Sequence, residues 1–72
     1  MYFVYILYSS KFDKYYIGQT NNLSDRLTRH NAGSVKSTKP YLPWILELSI
    51  EKDSRRESME LERKLNNLGK EK

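Results

Sequence analysis

Cysteine is absent from this 72-residue chain, and histidine occurs once. The first absence excludes disulfides and thiolate-bound zinc; the second excludes a histidine-rich metal cage. Any metal is therefore expected to be a hard, oxygen-bound ion, Mg²⁺ or Mn²⁺. No apolar run is long enough for a transmembrane helix, and the apolar opening is too short and lacks the cleavage site of a signal peptide. The cytoplasm is the expected compartment. Charge of one sign does not dominate either. Thirteen basic against nine acidic side chains give +4, an excess compatible with nucleic acid but not diagnostic of it. The length allows one small domain, 1–72, burying about 60% of its unfolded surface. No internal repeat or low-complexity segment appears.

What is present begins with Tyr2-Phe3-Val4-Tyr5-Ile6-Leu7-Tyr8. This β-branched and aromatic run has no breaker and reads as a strand buried on both faces. A polar turn, Ser9 to Asp13, leads to a second strand, Lys14-Tyr15-Tyr16-Ile17-Gly18. If Tyr8 and Asp13 close the turn, Tyr5 stands directly opposite Tyr16 and both hydroxyls leave one face. Next, Asn22 is a good N-cap, with Asp25 at the third helical position. Leu23 and Leu27 form a buried stripe, and Gly33 stops the helix. Arg26 and His30 are four apart and share a face beside that stripe. A guanidinium and an imidazole beside two tyrosines suit a phosphate, although each alone is more often structural.

Gly33 to Pro43 reads as a loop punctuated by Pro40 and Pro43. Trp44 to Ile50 reads as a third strand, an edge with one buried face. Ser54-Arg55-Arg56-Glu57 fits a capping box for a second helix, with Leu61, Leu65 and Leu68 as its core-facing stripe. Projected at about 3.6 residues per turn, Glu62 falls at the edge of that stripe and Glu60 on the solvent side. Asn66 to Lys72 is expected to fray. The predicted fold class is α+β, a three-stranded antiparallel sheet flanked by helices in the order β-β-α-β-α. Its expected core is Tyr2, Phe3, Val4, Ile6, Leu7, Ile17, Leu23, Leu27, Trp44, Ile45, Leu46, Leu48, Ile50, Leu61 and Leu65. Arg26, Arg29, His30, Lys36 and Lys39 cluster around the first helix and the loop after it. Arg29, Lys36 and Lys39 are candidates to track a phosphate backbone; for Lys36 and Lys39 the alternative is a loop kept soluble by lysines.

The order Phe3-Val4-Tyr5, Tyr16-Ile17-Gly18, then Arg26 and His30 on a following helix, resembles the GIY-YIG nuclease superfamily. The likeness spans nearly the whole chain. It is nearest the small stand-alone bacterial members, which resemble the N-terminal nuclease domain of the excinuclease. Phe3 replaces the first motif's glycine, a departure that leaves the tyrosine in place. The resemblance implies a metal-dependent endonuclease hydrolysing DNA phosphodiesters, in repair or processing of structured DNA. Tyr5, Tyr16, Arg26 and His30 would be catalytic, with Tyr5 or His30 as general base. The implied acidic metal ligand on a later helix is Glu62, holding one Mg²⁺ or Mn²⁺. DNA is the expected partner, RNA remains open, and a separate DNA-binding partner fits the small size. Relatives of this type often run further, so the resemblance also implies a chain shorter than they are. Two alternatives are a nucleic-acid-binding module without catalysis, and an interaction protein that retains the fold.

Overall fold

The computed structural model describes residues 1–70, with backbone alone for Gly69 and Lys70. Strands β1 (Tyr2–Ser9) and β2 (Lys14–Thr20) are followed by helix α1 (Leu23–Asn31). A short 3₁₀ turn (Lys39–Tyr41) precedes β3 (Ile45–Lys52) and helix α2 (Arg55–Lys70). The antiparallel sheet has the order β2-β1-β3, so the apolar opening run is the central strand. That explains its lack of polar residues: both faces of β1 are covered.

One face carries Tyr5 and Leu7, which form the buried core with Trp44. Leu23 and Leu27 of α1, with Tyr16, Tyr41 and Leu42, pack against that cluster. The other face turns toward α2. There the buried Ser58 hydroxyl meets the Gln19 side-chain amide at 3.3 Å, and Leu65 shares a groove with Ile6, Ile17 and Leu48. The alternation of strand side chains assigns the two helices to opposite faces.

Local capping follows the sequence closely. Asn22 Oδ1 accepts the Asp25 amide at 3.1 Å, and Gly33 ends the helix region at φ +77°, a conformation glycine adopts without steric cost. Ser54 Oγ accepts the Glu57 amide at 3.2 Å and donates to the Glu57 carboxylate at 3.3 Å, a variant of the reciprocal cap.

Four expectations are corrected. The hairpin register pairs Tyr5 with Gly18 and Leu7 with Tyr16, not Tyr5 with Tyr16. The turn closes at Ser9 and Lys14, although the Tyr8 hydroxyl does donate to Asp13 (2.9 Å). The slip is two residues, so parity survives and both tyrosines still share a face. Second, β3 begins after Trp44 and runs to Lys52, and it does not bury a face. Ile45, Leu46 and Leu48 are exposed. A β-bulge opposite Ile6 and Leu7 breaks the alternation that the sequence suggested. Third, Tyr5, outside the expected core, is completely buried, whereas Ile45, Leu46 and Leu48, expected within it, are exposed. Fourth, α2 stays helical through Asn66 to Lys70, with Leu68 exposed rather than in the stripe; Glu71 and Lys72 lie outside the described residues.

Candidate active site

Tyr5 projects from the central strand and His30 from the last turn of α1, and their side chains meet in the interior. Tyr5 Oη lies 2.9 Å from His30 Nε2, and His30 Nδ1 lies 2.9 Å from Thr38 Oγ1. All three residues are buried. Thr38 Oγ1 also donates to the Val35 carbonyl at 3.3 Å. A hydroxyl has one proton, and when it goes to Val35 the Thr38 oxygen accepts from His30. In that arrangement Nδ1 carries the imidazole proton and Nε2 accepts from Tyr5. The chain of donors runs from Tyr5 through His30 and Thr38 to a main-chain carbonyl. Hydrogen-bonding the far nitrogen is the usual way a protein selects a histidine tautomer.

Thr38 escaped the sequence reading because its partner lies eight residues away across an irregular loop. Trp44 holds that loop in place: its indole Nε1 donates to the Thr38 carbonyl (2.9 Å), and its amide donates to Asn31 Oδ1 (3.0 Å). An aromatic followed by a strand signal, just after a proline, was the only visible hint.

Tyr16 is half-buried, with its ring 5.0 Å from that of His30 and 6.2 Å from that of Tyr5. Gly18 makes this closeness possible. A Cβ there would sit 2.5 Å from Tyr5 Oη, 2.7 Å from Tyr5 Cζ and 3.1 Å from Tyr16 Cε2. The glycine is required by ring approach rather than by backbone conformation.

Burial raises the Tyr5 phenol well above its usual range, and the nearby Tyr16 adds to this. The Arg26 guanidinium opposes the shift, whereas Glu62 reinforces it. The fields of Arg26 and Glu62 thus both reach Tyr5. His30 is pushed down, first by burial and then by Arg26, which keeps the imidazole neutral. These directions predict a two-sided stability profile. A neutral His30 is favoured in the fold, so its contribution is complete above about pH 6.5 and is lost as pH falls below it. A neutral Tyr5 is likewise favoured, so its contribution is complete below about pH 10 and is lost above it. Urea midpoints measured across pH should show both limbs. His30→Gln should flatten the acid limb, and Tyr5→Phe the alkaline one; unchanged limbs would reject the assignment.

Glu62 is half-buried on α2, and desolvation raises its carboxyl pKa. Among the described residues its carboxylate has no ion-pair or side-chain hydrogen-bond partner, and no cluster of three or more acidic, histidine or cysteine side chains exists. A lone carboxylate open to further oxygens fits a Mg²⁺-type ion that keeps waters and substrate oxygens in its shell. Of the three candidate backbone-tracking residues, Arg29 is exposed and paired with Asp25 (3.1 Å). Lys36 and Lys39 are exposed on the segment after α1. None of the three contacts the tyrosines through a hydrogen bond or ion pair among the described residues.

Two grooves lie apart from the tyrosines. One is lined by α2 side chains including Arg56, Met59 and Glu62, and another by Ile6, Ile17, Leu48 and Leu65. Neither contains Tyr5, Tyr16, Arg26 or His30.

The GIY-YIG catalytic domain model matches residues 1–72. The chain belongs to the GIY-YIG family. That family consists of endonucleases, so this GIY-YIG protein has a nuclease-type fold. No curated protein and no solved structure matches it. No helix among its described residues is long and apolar enough to cross a membrane.

Proposed function

We propose that this GIY-YIG protein is a divalent-metal-dependent endonuclease that hydrolyses DNA phosphodiesters, acting in the cytoplasm on structured DNA. The observation that carries the reading is the buried contact between His30 Nε2 and the Tyr5 hydroxyl, 2.9 Å apart. Such a pair can take a proton without prior ionisation of either group. As a water attacks phosphorus, its proton passes to the Tyr5 oxygen while the phenolic proton passes to His30 Nε2. An imidazolium results, and the phosphorus–oxygen bond to the leaving strand breaks. The two bases considered from the sequence then act as one relay, with Thr38 holding the imidazole in the required tautomer.

Tyr5 has no exposed surface, so the relay operates once substrate binding admits the attacking water beside the half-exposed Tyr16, the phenol that meets and orients the water or phosphate. Arg26 offers paired donors to the non-bridging oxygens as negative charge develops. Glu62 would hold one Mg²⁺ or Mn²⁺, which supplies Lewis-acid polarisation of the phosphate and charge neutralisation at the leaving oxygen. Arg29, Lys36 and Lys39 would follow the backbone, with Arg29 exchanging Asp25 for a phosphate. Binding should therefore weaken as salt rises.

The direct test is cleavage of labelled duplex, flapped, branched and single-stranded DNA, and of matched RNA, with Mg²⁺, Mn²⁺ or EDTA. Metal-dependent cutting that EDTA abolishes is the expected result. Binding without cutting under every condition would replace the nuclease reading with that of a binding module.

A further inference from the structure

Phe12 sits in the β1–β2 turn with 43% of its surface exposed, so packing in the core does not account for it. Its ring meets that of Tyr41 edge-on, with centroids 5.5 Å apart. The Lys11 ammonium lies 5.7 Å from the Phe12 centroid, and the Lys14 ammonium 5.0 Å from that of Tyr41. Two rings and two cations, from the hairpin turn and the 3₁₀ turn, thus share one patch. The acid within the hairpin turn, Asp13, is engaged by the Tyr8 hydroxyl.

The patch and the candidate active site lean on the same buried ring, that of Trp44. Tyr41 packs edge-on to Trp44 with centroids 6.4 Å apart, and Trp44 packs edge-on to Tyr16 at the same spacing. Two ring-to-ring steps therefore separate the patch from the half-exposed phenol of the site. Aromatic faces beside lysine ammonium groups suit unpaired nucleic acid, because every base has a π-face to stack and every linkage has a phosphate. A base inside a duplex has both faces occupied by its neighbours and cannot use the rings.

We infer that this patch binds a single-stranded segment of nucleic acid adjoining the phosphate at Tyr16. An unpaired base stacks on Phe12 or Tyr41, and Lys11 and Lys14 turn from the ring faces to the neighbouring phosphates. The inference rests on the nuclease reading and narrows its substrate to nucleic acids with a single-stranded stretch beside the cleavage point.

The test is fluorescence anisotropy of the full chain in EDTA with three probes: a blunt duplex, the same duplex with a thymidine tail, and the same duplex with an abasic tail. The thymidine-tailed probe should bind most tightly. Phe12→Ala should weaken it roughly tenfold and leave the other two unchanged. Phe12→Trp, which keeps a π-face, should retain the wild-type preference. Lys14→Ala should lower the salt slope by about one on both tailed probes. Equal binding of all probes with Phe12→Ala silent would overturn the patch and leave the nuclease reading standing. Absence of binding to any probe, together with absence of cleavage, would overturn both. An exposed ring has little to contribute to folding, so Phe12→Ala should melt as wild type does; a large drop in melting temperature would assign the ring to structure and reject the proposal.

Discussion

Glu62→Gln is expected to remove metal-dependent cleavage by roughly a thousandfold, the upper scale of losing one electrostatic contact to a transition state, without lowering thermal stability at neutral pH. The second half of this expectation follows from the direction of the Glu62 shift. Desolvation raises its carboxyl pKa, so the fold favours the neutral acid. The associated stability is present below the unfolded pKa and is lost as pH rises, which leaves the carboxylate a burden at pH 7. Glutamine keeps the shape and removes the charge, so the melting temperature should hold or rise. A charge that weakens the fold at working pH and is nevertheless needed for cleavage is the signature of a functional group. Added Mg²⁺ or Mn²⁺ should raise the wild-type melting temperature through selective binding to the folded state and leave that of Glu62→Gln unmoved. Full cleavage by Glu62→Gln would take Glu62 out of the site.

Gly18→Ala is the second large effect, and it acts on fold and chemistry together. The added methyl would lie 2.5 Å from the Tyr5 hydroxyl oxygen, and that oxygen cannot give way cheaply. Tyr5 has no exposed surface and is held by His30 at 2.9 Å. Either the Tyr5–His30 hydrogen bond breaks or β2 shifts against β1. Overpacking of this kind costs about 1–3 kcal/mol, and each kcal/mol lowers the melting temperature of a domain this size by about 4–8 °C. Cleavage should fall further than stability accounts for, because the relay between phenol and imidazole is misplaced even in molecules that remain folded. Thermal melts with single-turnover cleavage at a temperature where the variant is fully folded would separate the two. A variant with wild-type melting and wild-type cleavage would show that the rings part without consequence.

The two effects also separate the site into its halves. Glu62 acts on Tyr5 through space, so changing it leaves the buried relay in place. Gly18 acts through contact, so changing it disturbs the relay first. Glu62→Gln should therefore keep the part of the alkaline stability limb that burial of Tyr5 supplies and lose only the smaller part its own charge adds, whereas Gly18→Ala should alter the limb at its source.

The sequence by itself determined whatever depends on short-range geometry. Asn22 and Ser54 cap their helices as expected, because a side chain reaches an amide three residues on whatever else the chain does. Arg26 and His30 share a face of α1 because four residues make about one turn. Tyr5 and Tyr16 share a face even though the predicted register was wrong, since strand side chains repeat every two residues and the error was two. The tertiary structure alone decided the rest. The hairpin register placed Gly18, rather than Tyr16, across from Tyr5. Edge strand β3 leaves Ile45, Leu46 and Leu48 exposed where the pattern predicted a buried face. The loop anchored by Trp44 delivered Thr38 to His30, and two separate turns delivered Phe12 and Tyr41 to one another. These contacts join residues separated by loops or strand pairings. Their geometry depends on how the whole chain packs, which no local period records.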